Sequence, residues 1–321
     1  MEIAIYDMRL EGAAAATLQQ AVTGAIERGV AARIVFNQDH AKPIPVPPPA
    51  AVDWDLLKRI PWHFQPINGM PDLMHHKYVV RDAERPEAAV WTGSTNWTTD
   101  SWTREENVIV RVTSPEVAQA YRTNFEELWQ YKDVARSGHF TPPEADVTLD
   151  GGAARLRPVF SPGRAHKMVH DIAQRIAGAA RRLRICSPVL TSGPILATLA
   201  EVAGRPGLDA SGVFDLTQMR QVQYQWEHGP SSGWKTGVFQ SVIARMPFGA
   251  KASTPYESGS VHDFMHAKLV VADDCVFTGS FNLSHSGESN AENVLMIENA
   301  GVADAFAAYV DRVRARYPMP S

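Results

Sequence analysis

Asp72-Leu-Met-His75-His-Lys77-Tyr-Val-Val-Arg-Asp82 and Asp263-Phe-Met-His266-Ala-Lys268-Leu-Val-Val-Ala-Asp273 are two copies of one segment, identical at seven of eleven positions. Each is followed by a Gly-Ser-x-Asn turn, Gly93-Ser94-Thr95-Asn96 and Gly279-Ser280-Phe281-Asn282. Each then reaches Glu-Asn-Val at the same offset, as Glu106-Asn107-Val108 and Glu292-Asn293-Val294. A duplication that keeps polar residues while apolar neighbours drift keeps them for chemistry, because packing alone would preserve the opposite set.

Working outward, the repeat divides the 321 residues into two α/β halves. Residues 1–135 form the first, residues 136–156, with Ser137-Gly138, Pro142-Pro143 and Gly151-Gly152, read as a linker, and residues 157–321 form the second. Ile3-Ala-Ile-Tyr-Asp reads as a buried strand, residues 13–28 as an Ala-rich helix that Gly29 ends, and Ala32-Arg-Ile-Val-Phe as the next strand. That is a βαβ unit feeding a largely parallel, mixed sheet. Leu183-Arg-Ile-Cys, a helix near 193–203 and Ser211-Gly-Val-Phe repeat the same order. Val117, Tyr121, Phe125, Leu128 and Trp129 form an apolar stripe at helical spacing, a core-facing helix over 115–131. The second half opens with an additional strand at Arg157 and a helix over 165–181 for which the first half has no counterpart. Two long aromatic stretches, 38–70 and 216–262, precede the two histidines and read as irregular walls of one cleft, although packing onto their own domains would equally account for the aromatics.

Composition bounds the function. No run of about 18 apolar residues exists, so no membrane-spanning helix is expected. The chain opens on a strand-like segment and not on a signal peptide, which points to the cytoplasm if Met1 is the natural start. Cys186 and Cys275 sit in apolar runs and read as buried reduced thiols. Net charge is −4, with 14 Lys+Arg against 21 Asp+Glu in residues 1–150. This weighs against a long polyanion ligand, which calls for a basic stripe, but not against a single phosphodiester.

In a regular strand alternate side chains share a face, so each histidine points with its lysine, while Asp82 and Asp273 fall on the other parity and are expected to be structural. Histidine can serve as nucleophile in one copy and proton donor in the other, provided a carboxylate fixes its tautomer. Glu106 and Glu292 are the candidates for that orienting task. Lys77, Lys268, Asn96 and Asn282, with Ser94 and Ser280 behind them, offer the donors that a phosphoryl group requires. His76 reads as structural. His262 and His266 lie four apart, but lack the glutamate that would complete a zinc motif, and no metal or other cofactor is expected.

These motifs resemble the His-x-Lys-x4-Asp signature of the phospholipase D superfamily, present here twice. The resemblance implies two similar phospholipase D-like α/β domains, each a mixed sheet between helices, related by a pseudo-twofold axis with one active site between them. It implies metal-independent phosphodiester cleavage through a phosphohistidine, with His75 as nucleophile and His266 as general acid, although the near-symmetry of the motifs permits the reverse. Three functions follow as expectations: a phospholipid head-group hydrolase or transferase, which the aromatic stretches and acidic first half favour; a nuclease, whose branch of the superfamily the Asn96-Trp97-Thr98 and Glu-Asn-Val phrasing resembles; and a non-catalytic phosphate binder. The partner expected is a phosphodiester substrate; a monomer is plausible, and the sequence leaves the oligomeric state open.

Overall fold

The structure is a computed structural model that describes residues 1–38, 52–69, 71–149, 152–229, 232–257 and 259–320. In chain order the first half contains β1 (Glu2–Ile5), β2 (Met8–Arg9), α1 (Gly12–Glu27), β3 (Arg33–Asn37), α2 (Trp54–Arg59), β4 (His63–Ile67), β5 (Lys77–Arg81), β6 (Ala89–Gly93), β7 (Trp97–Thr98), α3 (Thr99–Thr103), β8 (Ile109–Thr113) and α4 (Pro115–Tyr131). The second contains β9 (Ala145–Leu149), β10 (Gly152–Ser161), α5 (Ala165–Gly178), β11 (Arg182–Ser187), α6 (Gly193–Val202), β12 (Asp209–Asp215), α7 (Leu216–His228), α8 (Trp234–Arg245) and β13 (Phe248–Lys251). It closes with β14 (Leu269–Ala272), β15 (Cys275–Gly279), α9 (His285–Ser289), β16 (Glu292–Glu298) and α10 (Ala300–Arg316).

The sheets carry the duplication. The first runs β4-β3-β1-β5-β6-β8 and the second β13-β12-β11-β14-β15-β16, extended at its edge by β10 and β9. In both, the first three strands are mutually parallel and the repeat strand joins antiparallel, as β1 with β5 and β11 with β14. The expected pair of mixed α/β halves is therefore the observed architecture.

Three expectations change. Much of the stretch read as a linker is strand: Ala145–Leu149 pairs with Gly152–Leu156 and the pair extends the second sheet. The alternation of buried and exposed residues along Ala145–Leu149 is the strand signal that the glycines and prolines around it masked. The stretch 216–262 is mostly regular: α7, α8 and β13 occupy it, and Trp226, Phe239 and Phe248 join the core of the second half. Met219 and Trp226 face inward seven residues apart, a helical period that the aromatic content obscured. Of 38–70, α2 and β4 are regular, with Trp62 buried and its Nε1 donating to Leu57 O at 3.0 Å; the proline run within it lies outside the described residues.

The halves share a core. Tyr78, Tyr121 and Phe160 meet edge to face, with centroids 5.0 and 5.1 Å apart, and bring β5, α4 and β10 together. The helix α4 is well specified: Pro115 opens it, Ser114 Oγ accepts from Val117 N–H, and Lys132 closes it in the left-handed conformation. Cys186 and Cys275 are buried free thiols, as expected.

Candidate active site

The histidines do not lie within the repeat strands but just before them, where the chain forms a short bridge with the other half. Met74 bridges Ala291 and Met265 bridges Glu106, both in parallel sense. His75 N–H donates to Ala291 O at 2.9 Å, and His266 N–H to Glu106 O at 2.9 Å. Ala291 N–H returns to Leu73 O at 2.8 Å and Glu106 N–H to Phe264 O at 3.0 Å. Two reciprocal bridges thus place the halves about a pseudo-twofold axis and hold both histidines next to it.

Each lysine turns back on its own histidine. Lys77 Nζ donates to His75 O at 2.6 Å, and Lys268 Nζ donates to His266 O in the same way. Both ammonium groups are almost entirely buried. Tyr6 closes the first-half side, its ring 4.8 Å from that of His75 and 4.9 Å from Lys77 Nζ. Asp7 beside it is buried and held by the Arg9 guanidinium at 3.0 and 2.7 Å.

The orienting groups cross between halves and are not equivalent. His75 Nδ1 meets the fully buried Glu292 carboxylate, with 2.8 and 2.9 Å to its two oxygens. His266 Nδ1 instead meets Asn107 Oδ1 at 3.1 Å and Glu105 Oε2 at 3.2 Å. Glu106, expected at that position, points away: its Oε1 accepts from Tyr317 Oη at 2.7 Å and from Arg316 at 3.2 Å. The reason is register. Gly93 pairs with Ile109 whereas Gly279 pairs with Val294, so the return strand of the first half begins one residue later. That shift puts Asn107 where Glu292 stands and leaves Glu105 to reach in, fixed by Ser101 Oγ at 2.7 Å and Asn107 Nδ2 at 3.0 Å.

The Gly-Ser turns are built for this approach. Gly93 and Gly279 have φ of +156° and +155°, and a Cβ on either would sit 2.2 Å from a backbone oxygen of the return strand, Val108 O or Asn293 O. Ser94 and Ser280, expected as phosphate contacts, are fully buried and brace that strand. Ser94 Oγ accepts from Val108 N–H and Ser280 Oγ from Asn293 N–H, each at 3.0 Å. The side-chain oxygens of Asn96 and Asn282 are buried without a partner among the described residues, and an oxygen accepts, so only the amide N–H groups could meet a phosphoryl oxygen.

Asp82 and Asp273 lie away from the site, both in left-handed turns with φ of 51°. The Asp273 carboxylate accepts from the amides of Ala180, Arg181 and Arg182, which outweigh burial and hold it below its usual pKa. His76, read as structural, packs against Tyr78 and accepts from Asn293 Nδ2 at 3.2 Å. His262 stacks on Phe264, and among the described residues no three metal-ligating side chains cluster.

Burial dominates the electrostatics. His75 and His266 are both pushed well below their ordinary pKa, first by desolvation and then by Lys77 and Lys268. Desolvation likewise carries Lys77 down to about 7, lowers Lys268 strongly and raises Glu292 to about 8. Glu105 is raised for the same reason. Burial thus disfavours the charged form of every group in the cluster, and an anion bound among them would favour the charged form of the lysines. Beside His266 a cleft of about 270 Å³ opens, lined by Gln218, Gln221, Thr254, Tyr256, Phe264 and Asn282.

The sequence reading missed Glu105, Asn107, Tyr6 and Asp7. The Glu105-Glu106-Asn107 run contained the right carboxylate, but only strand pairing distinguishes it from its neighbour.

Residues 2–129 and 172–314 match the family described as cardiolipin synthase, PLD-like domain. Mitochondrial cardiolipin hydrolase of Xenopus laevis is 34% identical over 71 residues, and that of Xenopus tropicalis 38% over 72; each match covers 22% of this chain and 32% of the relative, so this chain spans about a third of their length. The crystal structure of phosphatidylserine synthase from Haemophilus influenzae superimposes with a TM-score of 0.63 at 14% identity, over 97% of this chain and 79% of that one. At that identity the likeness concerns the fold.

Proposed function

The chain belongs to the phospholipase D superfamily through this cardiolipin synthase-type PLD-like domain, and from that membership we propose that it is a metal-independent phosphodiesterase acting on a phospholipid head group through a phosphohistidine. One observation carries the proposal: two histidines from different halves, each with Nδ1 bound to an acceptor of the opposite half and each within the field of both buried lysines.

The chemistry follows from the free nitrogens. His75 donates Nδ1–H to Glu292, which leaves the Nε2 lone pair for attack on phosphorus. Desolvation keeps His75 neutral at neutral pH, as a nucleophile requires. Negative charge accumulating on the phosphoryl oxygens is met by Lys77 and Lys268, with Asn96 and Asn282 as further donors. His266 gives its Nε2 proton to the departing alcohol; burial and then the lysine field depress this ring, and it takes the proton up from solvent as the substrate anion binds and offsets that field. Water, activated by the now neutral His266, then attacks the phosphohistidine, and His75 leaves. Glu292 stabilises the charged ring of the intermediate, and Asp82 and Asp273 keep the ends of the repeat strands.

The phospholipid assignment draws on the family description and on the acidic first half, which disfavours a polyanion. Its test is turnover of purified protein on cardiolipin, phosphatidylglycerol, phosphatidylcholine, single-stranded DNA and RNA, beside the His75→Ala variant. Phospholipid turnover that falls by about 10⁴-fold or more in the variant supports the proposal. Nucleic-acid turnover without lipid turnover replaces the substrate, and undiminished activity of the variant overturns the mechanism. Enzyme quenched in mildly alkaline denaturant, because the N–P bond is labile in acid, should carry a phosphoryl adduct on the His75 peptide.

A further inference from the structure

The two halves differ in what covers their sheets. In the second half α5 lies over β14 and α6: Met168, Ile172 and Ile176 share a core with Val270 and Phe277, and the residual cavity at Ile172, Val270 and Phe277 is about 10 Å³. In the first half Val79 and Trp91 occupy the matching positions on β5 and β6, and α1 stands where α6 stands, each helix joining two parallel neighbours in its sheet. No described element takes the place of α5. An apolar groove of about 530 Å³ remains, lined by Leu10, Ala14, Leu18, Val79, Trp91 and Trp102. Trp102 stacks on Trp91 with centroids 6.3 Å apart and is 51% exposed.

The helix beside the groove is itself written for a buried position. Between Gly12 and Ile26 α1 carries no Asp, Glu, Lys or Arg, and its outer face presents Ala13, Ala14, Ala16, Thr17, Gln20 and Ala21. Val22 is its one buried residue, whereas α6 buries Ile195, Leu196, Leu199 and Val202. Exposed helices normally carry charge on that face. The second half states what fits such a groove: a helix with a narrow, apolar side.

We propose that a second copy of this chain fills it, α1 of each copy lying along the Trp91–Trp102 face of the other across a twofold axis. A twofold contact requires one surface to hold both the projecting element and its receptor, and here helix and groove are neighbours. Small side chains allow close approach, and the lining of the groove itself carries no charge to desolvate. The assignment is independent of the chemistry proposed above.

Light scattering and sedimentation of the full chain at micromolar concentration test it. The wild type should show twice the chain mass. Ala14→Glu/Ala21→Glu, which retains helix propensity, should raise the dimer dissociation constant by about 100-fold or more. Ala197→Glu, on the exposed side of α6 in the other half, should leave the mass doubled. Circular dichroism checks folding, and Trp102→Glu, which places there the residue found at the matching Glu288, gives the same reading if the double variant fails to fold. Single mass in the wild type overturns the proposal, as does a dimer indifferent to both groove variants or equally lost in Ala197→Glu. A monomer that floats with phosphatidylcholine–phosphatidylglycerol vesicles, and ceases to in the groove variants, overturns it in favour of a bilayer.

Discussion

His75 and His266 occur in near-identical sequence, yet they receive different support. His75 faces a buried carboxylate at 2.8 Å, while His266 faces an amide oxygen at 3.1 Å with a carboxylate behind it at 3.2 Å. One residue of register separates the two arrangements. A carboxylate on Nδ1 makes the opposite nitrogen a better nucleophile and stabilises a ring that becomes positively charged. At His266 an amide shares Nδ1 with a carboxylate, which dilutes that effect and suits the proton release proposed for this ring. One residue of register thus gives two near-identical motifs unequal surroundings, as the proposed division of tasks requires.

This comparison can be broken in graded ways. The strongest is His266→Ala: turnover of an ester with an alkyl alcohol should fall by about 10³-fold or more, while a p-nitrophenyl ester, whose leaving group needs no proton, should still form the phosphoryl adduct at His75. Loss of the adduct with both substrates would reverse the assignment of the histidines. Next is Glu292→Gln, expected to lower kcat by about 10²- to 10³-fold, against about tenfold for Glu105→Gln, because Asn107 continues to hold His266. Equal losses would remove the asymmetry.

A smaller effect concerns pH. With Lys77 at about 7 in the free enzyme, its ammonium is present below that pH and lost above it, so kcat/KM should decline as pH rises through about 7. Lys77→Arg, which stays charged, should move that limb upward if the fold accepts it. The smallest effect is expected of Glu106→Ala: kcat nearly unchanged, with about 1 kcal/mol of stability lost in denaturant titration as the Tyr317 and Arg316 contacts disappear. A large loss of activity there would restore Glu106 to the site.

The sequence made the histidines, lysines and asparagines legible because their spacing recurs, and it made the sheet order legible through the βαβ pattern. Glu105 was not legible, since which member of Glu105-Glu106 turns inward depends on pairing across β6 and β8. Ser94 and Ser280 were misjudged for a related reason: a hydroxyl in a Gly-Ser turn can serve a ligand or its own return strand, and only the buried geometry shows the latter. The helices α7 and α8 were hidden by their aromatics, which suggested a cleft wall although Trp226 and Phe239 lie in the core.

The reciprocal bridges at Met74–Ala291 and Met265–Glu106 have a kinetic consequence. Neither half contains a complete site, for each histidine borrows its acceptor from the other. During refolding, secondary structure within each half can return before any activity does, and catalysis should reappear only with the slower docking step. The segment between the halves then acts as a tether, keeping each half at a high effective concentration near its complement while that step occurs.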